Sequence, residues 1–106
     1  MAIDKVFPMG SIIYLKGGNQ KLMILNRGPQ IKVDDEIKMF DYSATLYPAG
    51  LSLDKVIYFN TENIEEVLFE GYSDMDEDRF QELYQEWLET DGKNFPRGKV
   101  GPTLEN

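Results

Sequence analysis

Ser11-Ile12-Ile13-Tyr14-Leu15-Lys16-Gly17-Gly18-Asn19-Gln20-Lys21-Leu22-Met23-Ile24-Leu25 is the stretch on which the fold turns. Two short runs rich in Ile, Leu, Met and Tyr flank a Gly-Gly-Asn turn, and residues of these types fit a pleated, half-buried surface. The glycines supply the positive φ that a tight connection between strands requires. A β-hairpin over residues 11–25 is therefore predicted, and the rest of the chain is read outward from it.

Asn26-Arg27-Gly28-Pro29 ends the second strand, because Pro cannot donate to a ladder and Gly breaks the pleat. The segment to Glu36 reads as a mobile loop. A third strand is predicted over residues 37–47, where Lys38, Phe40, Tyr42, Ala44 and Leu46 alternate with Met39, Asp41, Ser43 and Thr45, the pattern of a sheet with one buried face. Pro48-Ala49-Gly50 stops it. Two short strands follow at residues 55–59 and 66–69, with Asn60-Thr61-Glu62-Asn63 as a turn or single helical turn between them. The period then changes. Phe80, Leu83, Tyr84, Trp87 and Leu88 fall at i, i+3, i+4, i+7 and i+8, which predicts an amphipathic helix with Asp74, Asp76, Glu77 and Asp78 at its front and Asp91-Gly92 at its end. The expectation is an α+β fold: a five-stranded antiparallel meander or half-open SH3-like barrel with one C-terminal amphipathic helix. Residues 1–92 are read as one compact domain and residues 93–106, with two prolines and two glycines, as a flexible tail.

The chain has 106 residues, no Cys, no His and a net charge of -8. Without Cys and His there is no thiolate or imidazole for a metal, a nucleophile or a general base. Carboxylates, Lys, Tyr and Ser remain, which leaves an enzyme using carboxylates such as Asp41 and Glu70 as a minor alternative. These are also the ordinary surface of an acidic protein, so no cofactor, no metal site and no catalytic residue are expected. The absence of Cys agrees with a reducing, cytoplasmic compartment. Residues 1–7 carry Asp4 and Lys5 and reach Pro8 at once, which is the pattern of neither a secretory leader nor a membrane span. The charge is uneven: residues 1–60 hold six acids and seven bases, whereas residues 61–92 hold twelve acids and one base, Arg79. Such a surface repels phosphate backbones and anionic bilayers, so neither nucleic acid nor membrane is expected as a partner. A basic protein segment suits it better.

Three motifs have plain structural readings. Asp74-x-Asp76-x-Asp78 begins like a calcium loop, but the sixth position is Arg79 where Gly is needed and the twelfth is Gln85 where a bidentate Glu is needed. The run is read as helix capping. Lys16-Gly17-Gly18-Asn19 resembles a phosphate cradle, yet it leads into a strand and not a helix, so it is read as the hairpin turn. Neighbouring acids such as Glu65-Glu66 point to opposite faces of a strand and cannot form an acid–base pair by themselves. The stripe Phe80, Leu83, Tyr84, Trp87 is either core under the helix or a ridge that meets a partner.

Gly10-Ser11 through Leu15-Lys16-Gly17-Gly18, Lys21-Leu22-Met23-Ile24, Arg27-Gly28, Asp41-Tyr42, Leu46-Tyr47-Pro48-x-Gly50, Phe59-Asn60 with Ile64, and Val67-x-Phe69-Glu70-Gly71-Tyr72 together resemble domain-of-unknown-function family 4176 over residues 9–85. This chain has Asn60-Thr61-Glu62-Asn63 where His is common in the family. The resemblance implies a small cytosolic protein of Gram-positive bacteria, encoded beside a type VII secretion system and its LXG-type toxins. It would act as a non-catalytic chaperone or targeting adaptor that binds a secreted toxin before export and presents it to the secretion ATPase. An immunity protein that neutralises the toxin is the alternative, and a homodimer is compatible with either. An incomplete sheet would offer an edge for a partner strand to extend. The residues expected to meet the partner are Tyr42, Tyr47 and Tyr72 at strand ends, Asp41 and Glu70 on the acidic rim, and Trp87 on the helix.

Overall fold

The structure, a computed structural model, describes residues 5–99. The hairpin forms as the sequence dictates: β1 (Ile12–Leu15) pairs antiparallel with β2 (Leu22–Arg27), with Gly17 at φ 77° in the turn. β5 (Tyr42–Leu46) pairs with the far side of β2, and β6 (Ile57–Phe59) pairs with β5. The last strand, β7 (Ile64–Phe69), returns to the opposite margin and pairs with β1, so the order is β6-β5-β2-β1-β7. The α+β class and the five antiparallel strands are as expected. A plain meander is not, because the chain leaves β6 and rejoins the sheet at its other edge.

That return makes the sheet curl. In a flat sheet the two margins would stand four strand spacings apart, about 19 Å. Phe59 and Ile64 are joined by four residues, three of which (Thr61–Asn63) form a 3-10 turn rising only ~2 Å per residue. Even fully extended, the link would reach no more than about 17 Å. The margins must therefore approach each other, although β6 and β7 do not pair. The curled sheet encloses Ile13, Leu15, Leu22, Ile24, Tyr42, Ala44 and Phe59 as its core.

Two sequence expectations are corrected here. The predicted strand 37–47 is two strands in two sheets: β4 (Glu36–Met39) belongs to a separate hairpin, and the chain turns at Phe40-Asp41 before β5. The predicted mobile loop before it contains β3 (Gln30–Val33), which pairs in register with β4 around Asp34-Asp35. Both aspartates have positive φ, 53° and 67°, the geometry of a tight hairpin turn that Asn-Gly adopts at lower cost. An Asp-Asp pair carries no glycine to announce that turn. β5 is also not one-sided, since Tyr42, Ser43, Ala44 and Thr45 are all buried. Its polar members are satisfied: Asn26 donates to Ser43 Oγ at 2.9 Å, and Thr45 donates to the Gly50 carbonyl.

The helix α1 (Met75–Glu89) starts where expected, with the Asp74 carboxylate accepting from the amides of Asp76 and Glu77. The helix-capping reading of the acidic run is thus what Asp74 does. The buried face is set by Gln81 and Tyr84, flanked by Phe80, Trp87 and Leu88, while Leu83 is left exposed. Gln81 holds the N-terminal segment like a short ladder, accepting from Val6 N at 3.2 Å and donating to Val6 O at 2.8 Å. Arg27, at the end of β2, makes a two-pronged contact to Glu77 at 2.8 and 3.0 Å, donates to Phe7 O at 3.1 Å, and lies 4.2 Å from the centre of the Phe80 ring. Gly28 has φ 69° and sits beneath the Tyr84 ring, where an added Cβ would fall 2.8 Å from the ring. Among the described residues no helix is long and apolar enough to cross a membrane.

Residues 93–99, at the start of the expected flexible tail, are held to the body. Met39 N donates to Pro96 O and Gly98 N to Met39 O, both at 2.9 Å, while Asn60 Nδ2 donates to Gly98 O at 2.9 Å. The remainder of that expected tail, residues 100–106, lies outside the described residues.

Two predictions arise from this arrangement. Arg27 lowers the Glu77 carboxyl below its ordinary value of 4.5, so the stability this pair contributes is complete above that pH and disappears as pH falls through the lowered folded-state value. With side chains only 5% and 13% exposed, breaking the pair by Glu77→Gln leaves the guanidinium poorly compensated and should cost about 3 kcal/mol at neutral pH. The stability of the Gln variant should also fall less steeply than wild type below pH 4.5, as followed by urea titration. Replacing Asp34-Asp35 by Asn-Gly should raise stability by roughly 0.5–1 kcal/mol, visible as a higher Tm.

Candidate partner-binding surface

The structure separates the six expected partner-contact residues. Tyr42 is not a surface residue: it is 0% exposed, stacked between Phe7 and Phe59 at centroid distances of 6.4 and 5.3 Å. Its hydroxyl accepts from Phe7 N at 3.0 Å, and burial raises its pKa. Packing between the sheet and the N-terminal segment is its role, so the expectation of a partner contact is withdrawn. Trp87 is likewise internal packing, stacked on Tyr84 at 6.2 Å and Phe95 at 5.9 Å. Asp41 ties three segments together. Its carboxylate accepts from Thr61 N at 2.8 Å and Arg97 Nη2 at 2.7 Å, and its own amide donates to Asn60 Oδ1 at 2.9 Å.

Tyr47, Glu70 and Tyr72 are exposed. They do not form one surface. Leu46 pairs with Leu22, Leu22 with Ile13, and Ile13 with Val67, so Tyr47 extends past the end of the sheet where β7 begins, whereas Tyr72 extends past the end where β7 finishes. Tyr47 belongs with Leu51 and Leu53, both exposed, near Lys21 whose carbonyl accepts from Tyr47 N. Tyr72 belongs with exposed apolar residues that were not among the expected partner contacts.

Those residues are Met9, Leu68, Phe69 and Met75, with exposures of 55%, 41%, 61% and 84% beside the 80% of Tyr72. The reason is the register of β7. Ile13 faces Val67 and Ile12 faces Phe69, so Leu68 is an extra residue bulged between them; Tyr14 faces Glu66 and Leu15 faces Ile64, so Glu65 is a second. Ile64 and Val67 point into the core opposite Leu15 and Ile13, and Phe69 emerges on the outer face with Glu66. Simple alternation cannot reveal this, because each bulge reverses which face the next residue takes. Gly71 then lets the chain pass against the N-terminal segment: a Cβ there would lie 2.0 Å from the Met9 carbonyl oxygen, and Gly71 N donates to the buried Ser11 hydroxyl at 2.9 Å. The Met9 backbone is thereby brought against Gly71, midway between Phe69 and Met75 in the chain.

The electrostatics of this patch are one-sided. Residues 65–78 contain seven carboxylates and neither lysine nor arginine. The Asp74 carboxylate beside the Tyr72 hydroxyl raises its pKa. Of these carboxylates Glu77 is neutralised by Arg27, while Glu65, Glu66, Glu70, Asp74, Asp76 and Asp78 face water. A second feature is a polar cleft of about 380 Å³ lined by Asn60, Glu62, Asn63, Arg97, Gly98 and Lys99. Arg97 there is engaged by Asp41 at 2.7 Å and Glu62 at 3.4 Å, so the cleft is crossed by internal ion pairs.

Residues 6–80 match the family described as Domain of unknown function (DUF4176). No curated protein and no solved structure matches the chain.

The buried and exposed tyrosines are expected to part company on substitution. Tyr42→Ala should cost about 3–5 kcal/mol through the cavity it leaves, whereas Tyr47→Ala and Tyr72→Ala should each stay within about 0.5 kcal/mol of wild type in thermal unfolding.

Proposed function

We propose that this chain, which belongs to the family of Domain of unknown function (DUF4176), is a non-catalytic cytoplasmic protein-binding factor, a chaperone or targeting adaptor for an LXG-type toxin substrate of a type VII secretion system. The observation that carries the reading is the run of exposed apolar side chains at Leu68, Phe69, Tyr72 and Met75, joined by Met9. Large apolar groups gathered at one place on a small domain are a characteristic of surfaces that meet another protein. The unneutralised carboxylates around them favour a polypeptide of opposite charge and speed its encounter. The toxin and the secretion apparatus come from the family resemblance; the surface supports the binding role.

A second reading, an immunity protein, draws on the same acidic span, since twelve acids against one base over residues 61–92 suit the blocking of a cationic active site. The two part in cells. A chaperone should co-purify with the LXG-type toxin, and its deletion should lower the toxin's soluble yield and export. An immunity protein should restore growth to toxin-producing cells that lack the secretion system altogether. Absence of co-purification together with unchanged export would reject the chaperone.

A further inference from the structure

We infer that the surface formed by Met9, Phe69, Tyr72 and Met75 takes a cationic amphipathic segment of a partner by side-chain docking, and that it excludes both main-chain strand addition and a second copy of this chain. This rests on the protein-binding reading above and specifies the chemistry of the occupant.

Strand addition is disfavoured by the edge itself. β7 is bonded on one side only, to β1, and has six residues, so its outer margin is superficially a template for another strand. The bulges at Glu65 and Leu68 bracket a regular stretch of only Glu66-Val67. An incoming strand would find two paired positions before the ladder broke, and bulges are a device by which edges refuse such pairing. The other margin, β6, has only three residues. The expectation that a partner extends the sheet therefore gives way to one in which side chains, and not the backbone, are read.

The side chains specify what they read. Phe69, Tyr72 and Met75 recur along one exposed stretch with Glu70 and Asp74 between them, so apolar and anionic groups alternate over the same surface. A partner that buries the apolar members must bring its own charges within a few ångströms of these carboxylates, where sign decides the outcome. Lysines or arginines flanking an apolar face satisfy both requirements; methionine at two of the four apolar positions lets the surface adapt to that face. A second copy would set the same carboxylates against each other. Anionic bilayers and nucleic acid meet the same repulsion.

The test uses the full chain and three labelled peptides: an amphipathic Leu/Lys peptide, a Leu/Glu peptide of the same pattern, and a Leu/Lys peptide of the same composition scrambled to destroy its apolar face. Fluorescence anisotropy should detect binding of the first alone. The double variant Phe69→Ser/Tyr72→Ser should weaken it about tenfold or more, and Glu66→Lys/Glu70→Lys should abolish it and admit the Leu/Glu peptide. Leu51→Ser/Leu53→Ser, which removes comparable exposed apolar surface elsewhere, should change nothing. Circular dichroism establishes that each variant is folded, and Phe69→Tyr provides a milder substitution should the double variant unfold.

Equal binding of the scrambled peptide would overturn the inference, because it would reduce the effect to charge alone. So would sedimentation of a dimer that Phe69→Ser/Tyr72→Ser dissociates, since the patch would then belong to a second copy. Peptide binding that obeys these variants while the toxin fails to co-purify would leave the inference standing and remove the toxin reading instead.

Discussion

The buried contact between Arg27 and Glu77 joins three parts of the chain: the end of β2, the first turn of α1 and the N-terminal segment. Arg27 ends β2, Glu77 lies in the first turn of α1, and the same guanidinium reaches Phe7 O in the N-terminal segment while its face lies on Phe80. A planar, permanently charged group with five donors can serve a carboxylate, a carbonyl and an aromatic ring together; a lysine ammonium could not serve them with the same geometry. Two charges taken this far out of water cost several kcal/mol to desolvate, so the contact fixes a position more than it adds stability. Gln81 and Tyr84 complete the seat one turn and two turns further along, the first on Val6 and the second over Gly28.

Fixing the helix start fixes what precedes it. Between Phe69 and Met75 the chain must travel from the edge of the sheet to the helix, and Gly71 allows it to press against Met9 on the way. That path has no layer of structure over it. The bulge at Leu68 turns Phe69 outward, and Tyr72 and Met75 stay exposed because the helix, anchored through Arg27, packs on the N-terminal segment and the end of β2 and leaves this crossing bare. The apolar patch thus follows from the bulges of β7 and from where the helix docks, and its acidity comes from Glu65, Glu66 and Glu70 on and just after the strand together with Asp74, Asp76 and Asp78 at the helix start.

The turn between β4 and β5 is closed by a different device. Residues 95–98 run beside Met39 and over Phe40, with Phe95 on Trp87 and Gly98 against the Phe40 ring, and Arg97 ties this strap to Asp41. Asp41 and Trp87, expected from the sequence to meet a partner, have internal roles instead. Both prove to be fully occupied in joining the strap, the Asn60–Asn63 turn and the helix to one another.

From its sequence alone this chain declared the hairpin at residues 11–25, the number and direction of the main-sheet strands, the helix and its capping aspartate, and the acidity of the stretch beyond residue 60. Each of these rests on local physics: turn glycines, hydrophobic period and the count of charges are properties of neighbouring residues. The division of residues 37–47 between two sheets, the pairing of β7 with β1, and the bulges that push Leu68 and Phe69 outward were decided by tertiary structure. So was the burial of Tyr42 in place of Tyr72. These depend on which distant strand supplies the partner and in what register, and a single-residue shift reverses the faces of everything after it, so no reading of adjacent residues can contain them.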